Sequence, residues 1–307
     1  MANMTDLGDA RHDIGDRIGA RGVWWFTETK TADDAAALAQ RLESLGYGAL
    51  WIPETMGRDP FAHAAMLFER TETLVIATGI ANIFHRHPGA MKQAQQTLAE
   101  QSGNRFLLGI GVSHAPIVAG VRKLDYSRPL TQMRDYLEGM AASGYMAVGP
   151  SQEPKTLLAA LGPKMLELAS TAADGAHPYW TTPDHTEQAR GALGPDKLLC
   201  VEQKVVLTED ATVARAAARQ ALAMYIDLPN YFKNWFRLGF TEDDLADGGS
   251  DRLVDGLVAW GSLDRIEARL QAHTDAGADH VCIQPLHPDP ASFGTPDPDA
   301  LEALAPR

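Results

Sequence analysis

The feature that most limits what this chain can fold into is a strict alternation of short apolar strands and amphipathic helices. Residues 22–27 (GVWWFT), 49–52 (ALWI), the run starting at Leu74 and residues 105–112 (RFLLGIGV) are aromatic, β-branched or continuously apolar. Between them the apolar spacing turns helical. Leu38, Leu42 and Leu45 follow Thr31, which is placed to cap a helix with Asp33 and Asp34 in its first turn. Met91, Ala94 and Leu98 follow Pro88, and Gly103 ends that helix. Alternation of this kind implies parallel strands joined by right-handed helical crossovers.

The pattern continues with strands at 156–161, 176–180, 198–207 and 280–286, with Thr208 placed to cap the helix after the seventh. Eight strands alternating with helices predict a (β/α)8 TIM barrel over residues 21–307. A doubly wound sheet would need a phosphate fingerprint after its first strand, and none is there. Gly109-Ile110-Gly111 follows the fourth strand, and His114 stands where a third glycine belongs. These glycines either let a strand end lie close to a flat ligand or ease packing. Residues 1–20 are polar and aperiodic and read as a mobile tail. Residues 225–261, between strands seven and eight, form an insertion carrying Tyr231, Phe232, Trp235, Phe236 and Phe240. It either covers the barrel mouth, forms a subunit contact, or is a surface excursion with no direct role.

Composition narrows the partners. A formal net charge of −13 over 307 residues argues against nucleic acid or a membrane surface, and no apolar run is long enough to span a bilayer. No leader segment is evident, so a cytoplasmic enzyme acting on a small organic substrate is expected. Cys200 and Cys282 sit far apart in apolar runs and read as reduced core thiols. No His or Cys spacing suits a metal site.

In such barrels the active site lies at the C-terminal ends of the strands. That rule selects Trp25 and Phe26 after strand one, Glu54 after strand two, Gly79 to Arg86 after strand three, Ser113 and His114 after strand four, and Ala160 to Gly162 after strand five. Gly79 breaks an apolar strand, the mark of a bulge or a close backbone approach. Ala160-Leu161-Gly162 opens a helix, whose free N–H groups could hold a phosphate; an ordinary tight turn is the plain alternative. Glu54 either pairs with nearby structure or faces a ligand. His85 and His114 are candidate proton carriers or ordinary hydrogen-bonded histidines.

Four stretches in this order, LGYGALWIPE (45–54), ATGIANIFHRHP (77–88), RFLLGIGVS (105–113) and AALGPKMLELASTAADG (159–175), resemble the luciferase-like monooxygenase superfamily. The turn from Tyr126 to Pro129 and the segment Leu228 to Tyr231 resemble its branch using coenzyme F420, a 5-deazaflavin. The resemblance implies a hydride-transferring oxidoreductase, usually a homodimer. It also implies a bulge in strand three with a non-proline cis peptide at Gly79-Ile80, against which the cofactor ring rests. Asn82 would bond ring heteroatoms, and Ser113 with Ala160, Leu161 and Gly162 would take the phosphate end. Trp25, Phe26 and His85 would line the substrate side, with Tyr126 beside them. Relatives that oxidise alcohols carry an Asp-His pair after strand two, where this chain has Glu54-Thr55. That leaves reductase chemistry, or a base such as His85 or His114. The alternatives are an FMN-dependent monooxygenase and a non-catalytic flavin-binding barrel.

Overall fold

The computed structural model describes residues 13–306. Ten parallel strands run in the order of the chain: β1 Arg21–Trp24, β2 Ala49–Ile52, β3 Val75–Thr78, β4 Ala81–Asn82, β5 Phe106–Gly111, β6 Thr156–Leu158, β7 Gly175–Ala176, β8 Leu198–Leu207, β9 Val258–Gly261 and β10 His280–Pro285. β10 pairs with both β1 and β8, which closes the sheet into a barrel. β3 and β4 are two pieces of one barrel strand, both paired with β5. The barrel therefore has the eight expected strands. The additional strand β9 runs along the second half of β8, beyond the stretch of β8 that pairs with β7.

The period-two alternation of strand side chains sorts the core into two shells. Val23, Trp25, Leu50, Ile52, Ile76, Leu108 and Ile110 face the helices. Trp24, Trp51, Val75, Ala77, Leu107, Leu157, Cys200 and Cys282 fill the barrel interior. At mid-height Trp51 stacks on His177 with centroids 4.2 Å apart and donates its indole N–H to His280 Nε2 at 3.1 Å. Burial pulls both histidines down to about 4, so they are neutral filling. Both cysteines are buried free thiols.

Local signals held with small shifts. Thr31 caps the helix Ala32–Ser44 by accepting from Asp34 N–H at 3.1 Å. Asp210, not Thr208, caps the helix Ala211–Leu222; its carboxylate accepts from both Thr212 and Val213 N–H groups, which a hydroxyl cannot match as well. β6 and β7 are shorter than expected. Pro178 has no N–H to give the ladder, and residues 159–162 leave the sheet to enter the helix Pro163–Ala172. Both chain segments peel away at the mouth.

The expected tail at residues 1–20 lies outside the described residues up to residue 12. From Asp13 the chain is folded, contrary to that expectation. A helical turn at Ile14–Arg17 brings Ile14 and Ile18, four apart, into the bottom of the barrel, where Ile18 is fully buried. The physical reason is a plug: the open end of a barrel exposes apolar strand ends that something must cover. Replacing Ile18 with Ala should therefore cost about 2–5 kcal/mol in urea unfolding, whereas a tail residue would cost close to nothing.

Candidate functional site

The mouth is built around a register break. Ile76 and Ala77 pair with Phe106 and Leu107, whereas Ala81 and Asn82 pair with Ile110 and Gly111. Three residues, Thr78 to Ile80, thus stand opposite two, Leu108 and Gly109, which is a β-bulge at the place Gly79 marked. The Gly79-Ile80 peptide is cis. Two close approaches make room for it. A Cβ on Gly79 would collide with the Trp24 indole, and a Cβ on Gly111 would lie 2.6 Å from the Ile80 side chain. Thr78 fastens the bulge to β5: its hydroxyl donates to Gly109 O at 2.7 Å and accepts from Gly109 N–H at 2.8 Å. Gly109 and Gly111 therefore accommodate the bulge itself, which is the packing role.

Glu54 lies at the centre of a network that holds the loop after the bulge. Arg86 donates to both its oxygens at 2.8 and 2.5 Å, Asn82 N–H donates at 2.7 Å, and His85 Nδ1 lies 3.0 Å away. Burial pushes this carboxyl up, but the Arg86 bonds, the Asn82 N–H and His85 together hold it below its ordinary value of 4.5. His85 has its other ring nitrogen 3.1 Å from Asn82 Nδ2, and Asn82 Oδ1 accepts from Phe84 N–H at 2.9 Å. Of the two readings of Glu54, the structural pairing is the one found. Glu54 and His85 are engaged on each other and on the loop. Asn82 is buried, with its oxygen and one donor direction already used.

His114 is different. Neither ring nitrogen makes a hydrogen bond among the described residues, Nδ1 is buried without a partner, and burial pulls the ring down to about 4. Its ring sits 5.4 Å from that of Tyr231. Ser113, at φ 55°, turns its carbonyl toward Tyr126 and Asn230, which donate to it at 2.8 and 3.2 Å. Tyr126 thus braces the end of β5, with its ring 5.8 Å from Phe84.

Trp25 does not reach the mouth. It is buried in the shell between barrel and helices, and its neighbour Trp24 takes the inner position. The one-residue error follows from the alternation of strand side chains. Trp24 packs on Phe26 and on Tyr179, each at 4.8 Å, and Tyr179 leads on to Tyr231 at 6.2 Å. Tyr231 belongs to the helix Pro229–Arg237 between β8 and β9, which also seats Trp235 against the carbonyl of Trp180 at 3.0 Å.

At the fifth position, Ala160 is fully buried in the helical shell and the Leu161 carbonyl lies 2.9 Å from His185 Nε2. Gly162 opens the helix Pro163–Ala172 with no side-chain cap, and a Cβ there would meet only Arg237, at 3.5 Å. The turn is open and faces a guanidinium, a combination suited to an anion.

Sequence reasoning missed Glu202 and Lys204, an ion pair of 3.0 Å buried on the inner face of β8. Lys204 Nζ lies 3.7 Å from the ring centroids of both Tyr179 and Trp180. Burial lowers its pKa to about 8 while Glu202 opposes that shift. The signal was two charges spaced two apart inside the apolar run of β8. Among the described residues no cluster suited to a metal ion and no helix long and apolar enough to cross a membrane occurs. An open groove of about 280 Å³ lies outside the mouth, between Ile83, Phe84 and Pro88 on one side and Gln132, Asp135 and Tyr136 on the other.

The Glu54 network has a pH signature. A carboxyl held below its unfolded pKa adds stability that is present above that value and lost as pH falls through the folded pKa. The wild type should lose stability on acidification below about pH 4.5. Glu54→Gln should be less stable near neutral pH and show a shallower acid limb, measured as urea midpoints between about pH 7 and 3. Parallel curves for the two proteins would remove Glu54 from the acid transition.

Comparison with known proteins agrees with this architecture. An F420-dependent secondary alcohol dehydrogenase bound to an F420–acetone adduct superposes with a TM-score of 0.75 at 14% identity, covering 94% of this chain and 97% of that one. The FMN-bound oxygenating constituent of 3,6-diketocamphane monooxygenase from Pseudomonas putida gives 0.66 at 16% identity, covering 94% and 96%. In sequence, a Mycobacterium tuberculosis protein named as a coenzyme F420-dependent oxidoreductase is 24% identical, covering 88% of this chain and 95% of its own length. The 5,10-methylenetetrahydromethanopterin reductase of Archaeoglobus fulgidus is 23% identical, covering 80% and 88%. The luciferase-like monooxygenase family profile matches residues 18–280, and the chain belongs to that family.

Proposed function

We propose that this chain is a coenzyme F420-dependent oxidoreductase that moves a hydride between the deazaflavin and a small organic substrate. The observation that carries this reading is the bulge at Thr78–Ile80. There Gly79 backs directly onto the Trp24 indole, which in turn packs on Phe26 and Tyr179. In this reading the cofactor ring rests against the bulged backbone beside these rings. The name of the Mycobacterium tuberculosis relative favours F420 over FMN.

The residues present suit the cofactor. The uncapped helix start at Gly162, with Arg237 across from it, offers a place for the phosphate end. Trp24 Nε1 and His114 Nδ1 are buried donors or acceptors without partners, both at the mouth. When bound, F420 supplies a carbon that gives or accepts a hydride and reacts poorly with oxygen. The protein's part is to orient and to exclude water. The Glu54 network fixes the loop from Asn82 to Arg86, and Tyr126 with Asn230 fixes Ser113. Of the three groups considered for proton transfer, His114 alone has uncommitted ring nitrogens, so it takes that role in this reading.

Fluorescence titration with F420 and with FMN tests the cofactor. F420 should bind the more tightly, and reduced F420 should be stable in air in the complex. Tighter FMN binding, together with oxygen consumption by the reduced FMN complex, would establish the monooxygenase reading instead. Binding of neither would favour a non-catalytic barrel.

Gly162→Leu tests the phosphate end. A Cβ there meets only the end of Arg237, at ordinary contact distance, so the urea midpoint should stay close to wild type. F420 affinity should fall by about tenfold or more, the equivalent of one lost charge-assisted contact. Unchanged affinity would return the turn to an ordinary connection.

A further inference from the structure

The charges around the barrel mouth point to the substrate class. Resting on the cofactor reading above, we propose that the substrate is an uncharged, ring-bearing molecule with one hydrogen-bond acceptor, and that the site rejects anions of the same shape. A path of rings runs along the mouth from Phe26 through Trp24, Tyr179 and Tyr231 to His114, with successive centroids 4.8, 4.8, 6.2 and 5.4 Å apart. It joins the ends of β1 and β5, the segment after β7 and the helix Pro229–Arg237. Such a path rewards ring contact and supplies no counter-charge to an anion.

No ionisable group around this path offers a free positive charge among the described residues. Glu54 is held by Arg86 from both oxygens. The cation beneath the path among the described residues, Lys204, is 1% exposed, paired with Glu202 at 3.0 Å and enclosed by Tyr179 and Trp180. It cannot turn to meet an incoming anion without leaving Glu202 as an unpaired buried charge, a loss larger than a new surface contact returns. His114 is neutral. At the rim Glu28 accepts from the Thr55 hydroxyl at 2.6 Å and forms no ion pair among the described residues, so its charge repels anions. Arg237, the one guanidinium at the Gly162 turn, sits at the other end of the site. An anion entering the aromatic end would therefore shed its hydration without a counter-charge. An uncharged ring loses little water and gains stacking. The hydroxyl of Tyr231, which makes no hydrogen bond among the described residues and which burial keeps protonated, is a donor for the substrate's acceptor atom.

Matched probes of one shape decide this. Acetophenone, 4-acetylbenzoate and 4-acetylphenyltrimethylammonium are titrated by tryptophan fluorescence into the full chain, with and without F420. Acetophenone should bind at least about tenfold more tightly than 4-acetylbenzoate, and more tightly than the ammonium, whose contact with ring faces and Glu28 is offset by lost hydration. Phe26→Ala should weaken acetophenone severalfold while the urea midpoint holds, since Phe26 lines the mouth and is only half-buried. Equal or tighter binding of the benzoate or the ammonium, no measurable binding of acetophenone, or no effect of Phe26→Ala would overturn the proposal. The cofactor reading is judged separately by the F420 titration. Because the probes are also measured without F420, failure of F420 to bind would leave the substrate result readable.

Discussion

One extra residue in a barrel strand governs the geometry of the mouth. Where Thr78 to Ile80 stand opposite Leu108 and Gly109, the third strand must bow out of the ladder. A closed barrel has no free edge to absorb that displacement. The surrounding residues absorb it instead. Gly79 yields to the Trp24 indole, Gly111 yields to the Ile80 side chain, and the Thr78 hydroxyl fastens the bowed strand to Gly109. The result is a bulged backbone set directly against the Trp24 indole.

Bowing the strand also frees the loop that follows, and Glu54 holds it down. One carboxylate gathers the Asn82 N–H, His85 and both ends of the Arg86 guanidinium. Losing the carboxylate would leave a guanidinium and an imidazole without their shared acceptor, so the network acts as a unit. The same logic governs Glu202 and Lys204 one layer deeper. A buried ion pair of this kind is weak evidence for stability. Its effect here is to place a cation directly against the faces of Tyr179 and Trp180, which fixes both rings at the mouth. Charge inside this protein serves to hold loops and rings in place.

Much of the fold was legible because it depends on local patterning. Apolar strand runs, leucines at helical spacing and Gly or Pro at the boundaries repeat along the chain, and eight strands alternating with helices leave few closed arrangements. The bulge was legible as well, since Gly79 interrupts an apolar strand that resumes as polar sequence. What failed were details of one residue or one partner. Trp25 and Trp24 are equally aromatic neighbours, and only the sense of the alternation says which faces in. Ile14 and Ile18 lie in a polar stretch too short to show a period, yet they plug the barrel.

The sequence by itself determined the class of fold, the position of the bulge and the set of residues at the strand ends, because each follows from periodicity and from the rule that strand ends carry the site. Only the tertiary structure decided what those residues do. Glu54 and His85 are candidates for proton chemistry in the chain, and in space they are bound to each other and to the loop. His114 stands on the same footing as His85 in the chain, and in space its ring is the one left without a hydrogen bond among the described residues. The physical reason is that a side chain's role depends on its partners, and the partners here come from segments tens or hundreds of residues apart: Glu54 with Arg86, Ser113 with Asn230, Trp24 with Tyr179.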